Sequence, residues 1–298
     1  VTLEADCKSD QLGIKQEDRT QPFEGASGVT HPLIVESVTQ FQSQAYKELL
    51  PAGGPVQTQI LGKQSAEVEA QADRVKDYLN YQITEVMEEY DPEMDQMLFY
   101  LPLSGSTFKK VYFDEAKQRA VSTFVPAQDL VVPYAASDLQ SASRVTHVLR
   151  MDYNQVRKMQ VAGFFKDIEL QASDTEPDEV RQKVDEIQGT SRTYHDDIYT
   201  LLEMHVDLDL EGFEDMSPDG EPTGIHLPYI VTLDEASGKV LAIRRNFDAE
   251  TDFAKKRQFF VHYRFMPGLG FYGFGLIHMI GGLGRAATSI LRQLIDAG

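Results

Sequence analysis

Three short stretches carry residue types that could do chemistry. Gly268-Leu269-Gly270-Phe271-Tyr272-Gly273 spells GxGxxG just after a strand-like run, Arg257 to Phe265. In a dinucleotide-binding βαβ unit such glycines let backbone approach a pyrophosphate at a helix N-terminus, and an acidic residue roughly 20 positions on binds the ribose. Asp296 lies 23 positions after Gly273, but inside the same helical pattern and not after a second strand. Phe271 and Tyr272 are bulky where the phosphates must approach, Pro267 separates strand from loop, and no alternating βαβ unit precedes the motif. The expected use of these glycines is close packing. His205-Val206-Asp207-Leu208-Asp209 places an imidazole and two carboxylates on one face of a strand. Metals bind such sets, but the expectation is the wet face of a half-buried strand. Asp215, Ser217, Asp219 and Gly220 imitate the start of an EF-hand loop, yet its twelfth position is His226 and not Glu, so an acidic turn is expected.

The remaining motifs are weaker. Gly62-Lys63 lacks the first glycine of a P-loop, because Gln57 stands there, and Gln64 replaces Ser or Thr. His195 beside Asp196 and Asp197 has no nucleophile indicated, and no GxSxG elbow occurs. Cys7 is the only cysteine, which excludes an internal disulfide and a thiol-zinc site and suits a reducing compartment. No enzyme, cofactor or metal is expected. Two other function classes stay open: a nucleotide-dependent enzyme using Gly268–Gly273, and a membrane-active protein using Phe265–Gly284.

That second stretch is 20 residues without Asp, Glu, Lys or Arg, the length of a span. Seven of the twenty are glycine, which makes a poor spanning helix, so a buried segment is expected. The whole chain has 298 residues, 42% hydrophobic and 25% charged, a globular profile. Its net charge is −19, and Asp174 to Glu221 alone holds sixteen acidic and three basic residues. Tight DNA gripping would need a basic patch, so this charge argues against it, though not against a surface that DNA slides past. The N-terminus is polar and acidic and shows no signal peptide. With no starting Met and a helical pattern in its last residues, the chain reads as a piece of a longer one.

The elements that must position these groups follow from periodicity. Residues 1–24 form a polar arm. Thr30 caps a helix carrying Ile34, Val38, Phe41, Ala45 and Leu49, up to Pro51. A longer helix runs from Ser65 to Tyr90 with Val68, Ala72, Val75, Leu79, Ile83 and Val86 on its apolar face, and Asp91-Pro92 restarts a helix bearing Met94, Leu98 and Leu101. The period then changes. Thr107–Phe113 and Ala120–Val125 read as a hairpin, Leu130–Tyr134 as an edge strand, and Arg144–Met151 as another strand. Asp152 caps a short helix ending at Gly163, and Pro177–Ile187 is a charged surface helix. Ile198–Leu210 alternates cleanly, with Leu202, Met204, Val206 and Leu208 on one face and Glu203, His205 and Asp207 on the other. Leu227–Leu233 and Val240–Phe247 form a hairpin, and Arg257–Phe265 is the last strand. Helices, then strands with few helices, then a helix: the class is α+β, with mixed or antiparallel strands.

The final helix carries an apolar stripe, Leu276, Ile280, Leu283, Ala287, Leu291 and Leu294. His278, Gly282, Arg285, Ser289, Arg292 and Asp296 step along another face, and Gly281, Gly282, Gly284, Ala286 and Ala287 are small. This suits a helix packed among copies of itself around a wet channel, and equally an ordinary surface helix. The subunit-packing or channel candidates are His278, Gly281, Gly282, Arg285, Ser289, Arg292 and Gln293.

Several ordered stretches resemble portal proteins, the head-to-tail connectors of tailed double-stranded-DNA bacteriophages, in the short-tailed branch. They are "PFEGASGVTHPLIVESVTQFQSQAY" (Pro22–Tyr46), "MDQMLFYLPLSGSTFKKVYFD" (Met94–Asp114), "AQDLVVPY" (Ala127–Tyr134) with "SRVTHVLRMDYNQVRKMQVAGFF" after it, and the run from Phe260 to Gly298. The resemblance implies a ring, usually of twelve copies, at one capsid vertex of the virion, assembled in the host cytoplasm. Double-stranded DNA passes through it without tight or sequence-specific binding. A terminase motor, tail adaptors, and capsid and scaffolding proteins are its partners, and no membrane is. It implies a wing-like body over residues 25–266, then a glycine-rich bend and the start of a channel-lining stem helix over 267–298. Family chains continue beyond this point, and the matched stretches identify no DNA-contact residue.

Overall fold

The computed structural model describes residues 23, 26–115, 117–170, 198–217, 219–248 and 254–298. The expected helix at Pro177–Ile187, the His195 cluster and residues 1–22 of the polar arm lie outside them. Among the described residues five α-helices and two antiparallel sheets make an α+β fold with a C-terminal helix. The chain divides into two compact units, one over Ala127–Gln258 and one joining the chain up to Pro126 with Phe259–Gly298.

In the second unit, α1 (Leu33–Leu49), α2 (Ala66–Tyr81) and α3 (Tyr90–Ser104) precede β1 (Ser106–Asp114) and β2 (Arg119–Pro126); β8 (Phe260–Arg264) and α5 (Leu276–Ala297) complete it. The sheet order is β2-β1-β8, so the last strand pairs with the first. Helix α3 is the centre. Met94, Met97 and Leu98 are buried against Phe41, Tyr46, Phe124 and Tyr263, while Leu103 joins Ile34 and Val38 with Leu276 and Ile280. Burying such side chains stabilises by about 1.5–3 kcal/mol each, which is why α3 holds both sheet and helices.

The expected long helix from Ser65 to Tyr90 breaks. It is α-helical to Tyr81, π-helical over Gln82–Val86, and turns at Met87. Its Val68–Leu79 stripe is exposed, so nothing packs along it to keep the axis straight. The chain instead turns Glu89 onto β2, where its carboxylate meets Arg119 at 2.7 Å and accepts the Ser122 N–H. Burial would raise the Glu89 carboxyl, but its own backbone hydrogen bond, Arg119 and Ser122 together hold it below the usual range. Glu93 accepts the Phe124 N–H in the same way. These two carboxylates occupy alternate donors of β2, an edge strand that would otherwise offer them to another chain. Thr30 is not a cap either: α1 starts after Pro32, with no side chain capping it.

In the first unit, five strands run in the order β3 (Leu130–Val131), β4 (Arg144–Asp152), β5 (Ile198–Leu208), β6 (Leu227–Asp234) and β7 (Val240–Arg245). The edge strand β3 pairs for only two residues, and Pro133, lacking an N–H, follows. Asp152 caps α4 (Tyr153–Val161) through a reciprocal bond pair with Gln155. One face of the sheet buries Leu227, Tyr229 and Val231 against Met204, Val206 and Leu208. The other packs Tyr199, Leu201 and Leu241 with Val156 of α4.

Lys109 on β1 is only 2% exposed, and its Nζ sits 4.4 Å from the centre of the Tyr90 ring with no hydrogen-bond acceptor. Burial pushes its amine below the usual lysine value, against the pull of Glu93 and Glu89. The fold therefore carries a cost for the charged form that is relieved as pH rises from the lowered pKa toward about 10.4. Lys109→Met is expected to unfold in urea with about 1 kcal/mol more stability than wild type at pH 7, the difference shrinking at alkaline pH. A variant less stable than wild type at every pH would refute this account.

Candidate functional site

The C-terminal stretch is built on a close backbone joint. Helix α3 ends at Gly105, whose φ of +87° is in the left-handed region, and Gly105 O accepts the Phe265 N–H at 3.0 Å. A Cβ at Gly273 would lie 2.5 Å from the carbonyl oxygens of both Gly105 and Met266; one at Gly275 would lie 2.6 Å from the Gly105 nitrogen and closer still to Leu103 O. Gly268, Gly273 and Gly275 are therefore glycine because backbone touches backbone, whereas Gly270 has open space around it. Ser106 Oγ, itself buried, accepts the Gly273 N–H at 2.8 Å and lies 3.1 Å from His262 Nε2. The His262 ring stacks on Phe108 at 4.4 Å and on Phe271 at 4.7 Å. Burial, then Arg264, lowers its pKa to about 4, so the ring is neutral where its Nε2 meets the Ser106 hydroxyl. The amides a nucleotide phosphate would use are engaged: Gly273 N–H by Ser106, Phe274 N–H by Met266 O, and Gly275 N–H by His278 Nδ1.

From this joint α5 leaves with three distinct faces. The first packs on the chain itself: Leu276 and Ile280 reach Ile34, Val38 and Leu103, and Gly281 and Gly284 are buried. Residues 27–31 run alongside its second half. Asp296 accepts the Ser27 N–H at 2.6 Å, Thr288 accepts the His31 N–H at 3.1 Å, and Arg292 donates to Val29 O at 2.8 Å. Thr30, expected to cap α1, takes the same guanidinium at 3.4 Å. The second face is polar and exposed: Gly282, Arg285, Ser289 and Gln293. The third is apolar and exposed: Met279, Leu283, Ala286, Ile290 and Leu294, with Leu283, Ile290 and Leu294 at 65, 58 and 66%.

The expected faces are thus partly corrected. Within the apolar stripe, Leu276 and Ile280 pack, whereas Leu283 and Leu294 lie on the open side, because the helix meets α1 and α3 at its N-terminal half and only residues 27–31 beyond it. Of the candidates, His278 accepts the Gly275 N–H of its own helix while staying exposed, and the half-buried Arg292 holds the chain's own backbone. Gly281 is buried within the chain. Gly282, Arg285, Ser289 and Gln293 do come together on one exposed face. The apolar third face is what periodicity alone missed, although its i, i+4, i+7, i+11 spacing was readable.

On β5 the expected wet face is not wet. His205 is 2% exposed and its Nε2 lies 2.9 Å from Glu203 Oε1, on the side of the sheet that carries α4. Both faces of β5 are covered, so alternation marks two kinds of packing and not core against solvent. Among the described residues no group of three or more His, Cys, Asp or Glu is placed to hold a metal ion. In the EF-hand-like stretch, Asp215 Oδ2 accepts the Thr223 hydroxyl at 2.6 Å and closes a turn. No helix among the described residues is long and apolar enough to cross a membrane. No protein-family model matches the chain, and no curated protein matches it.

Two outcomes test the joint. Gly273→Ala is expected to cost more than about 3 kcal/mol in chemical denaturation, while Gly270→Ala, with open space around it, stays within about 0.5 kcal/mol. Because the folded His262 pKa lies below the unfolded value of about 6.5, its contribution is intact above that pH and is lost as pH falls toward about 4. His262→Phe should flatten the stability profile across that window; an unchanged profile would rule out the buried neutral ring.

Proposed function

We propose that this chain is a structural portal protein, the subunit of a ring at one capsid vertex through which double-stranded DNA is packaged and ejected. The observation that carries the reading is the division of α5 into a face on its own chain, an open apolar face and an open polar face. A channel wall built from repeated helices requires those three: one face to anchor, one to meet a neighbouring copy, and one to stay wet. The ordered stretches that resemble portal proteins, including the run that forms β8, the bend and α5, support the same reading. In it, DNA slides past a chain of net charge −19 with few phosphate contacts to hold it. The terminase motor, tail adaptors, and capsid and scaffolding proteins act on the ring from outside, and the portal assembles in the host cytoplasm before residing in the virion. In this reading the wing-like body is residues 25–266, and the stem begins with the bend and α5, which close the second unit.

Gly282 separates assembly from folding. Nothing lies within 4 Å of where its Cβ would stand, so a side chain there meets no part of its own chain. Gly282→Leu is expected to leave the unassembled chain at least as stable as wild type in thermal melts, because leucine is the better helix former, and to lower the yield of rings seen by electron microscopy at least tenfold. Normal ring yield, or a wild-type protein that stays monomeric at high concentration, would count against the proposal.

A further inference from the structure

A ring of more than two copies needs two different surfaces on each subunit, because a head-to-tail contact joins unlike patches. Helix α5 offers only one open apolar face, since its other sides are taken by its own chain or are polar. A second surface must come from elsewhere, and α2 supplies one.

Helix α2 has no buried residue in its 16 positions, although it is clearly amphipathic. A helix of that length is marginal in water unless an apolar face is packed. Only one side of it is engaged. Asn80 exchanges two hydrogen bonds with the Val56 backbone, and Thr58 donates to Ala72 O. Val68, Val75, Tyr78 and Leu79 stay open, with Val75 and Tyr78 at 44 and 62% exposure. The α2 segment carries Glu67, Glu69, Asp73 and Asp77 against Arg74 and Lys76, whereas α5 carries Arg285 and Arg292 against the single acid Asp296. An α2–α2 contact would oppose like charge, and an α2–α5 contact joins unlike charge. The lengths agree too: 16 residues of α2 span about 24 Å and fit within the 22 residues of α5.

We infer that the open apolar face of α2 on one copy covers the open apolar face of α5 on the next, in one repeated head-to-tail contact; this rests on the ring proposed above. The test uses two single variants, Val75→Glu on α2 and Ile290→Glu on α5, both at exposed positions where the fold tolerates a charge. Circular dichroism melts should match wild type. At a concentration where wild type assembles, each variant alone should remain at the 33.5 kDa chain mass in light scattering. Mixed in equal amounts they should form a one-to-one pair of twice that mass and grow no further, because each contributes one intact surface. If Val75→Glu assembles as wild type does, or the mixture stays monomeric while wild type forms rings, this contact is wrong and the ring stands. If wild type itself never assembles, the ring proposal fails and the contact with it.

Discussion

The second unit depends on a contact between two stretches of bare backbone. The end of α3 at Gly105 and the bend at Gly273–Gly275 approach so closely that a methyl group at either side would collide with a carbonyl or an amide. Four elements meet there: α3 ends, β1 begins, β8 has just ended, and α5 is about to start. Ser106 joins them by accepting the Gly273 N–H, and the stacked His262 hydrogen-bonds the serine hydroxyl. Because backbone geometry is stiff, this joint fixes the direction in which α5 leaves the sheet. Residues 27–31 then hold the far end of the helix through Thr288, Arg292 and Asp296. A helix anchored at both ends presents its remaining surface in a defined orientation, which a repeating assembly requires.

The same unit protects one surface and leaves others open. The β2 edge is capped by Glu89 and Glu93 from the start of α3, so it offers no free donors at Ser122 and Phe124. The outer faces of α2 and α5 receive no such cover, and apolar side chains stand exposed along both. In the proposed ring, this apolar exposure in helical register is what neighbouring copies would cover. In the same reading a net charge of −19 leaves few groups to hold the phosphates of passing DNA. Function in this reading comes from shape, spacing and charge.

Much of this was legible in the residues. The α+β class, the β1–β2 and β6–β7 hairpins, the Asp152 cap and the structural use of the GxGxxG glycines all follow from short-range rules: period 2 against 3.6, capping chemistry, and bulky aromatics where a phosphate would need room. The misreadings share a different cause. Val68 to Val86 has flawless helical spacing, yet the α-helix gives way to π-helix at Gln82 and ends at Val86, and Glu89 beyond it meets the distant Arg119 and Ser122. His205 alternates as a solvent-facing residue would, yet it is buried because the sheet is covered on both sides. Arg292 has the look of a channel residue, and its partner is a carbonyl 263 positions earlier.

By itself the amino-acid sequence determined the α+β class, most of the helices and strands, and that the last helix is amphipathic. Those properties depend on backbone sterics and on neighbours a few residues away. Tertiary structure alone decided which side of each amphipathic element is spent inside the chain and which is left for a partner. Periodicity states that a helix has an apolar face, but only the position of α1, α3 and residues 27–31 determines that Leu276 and Ile280 are covered while Leu283, Ile290 and Leu294 are not. Burial is a property of the whole packing and is not encoded in any one element.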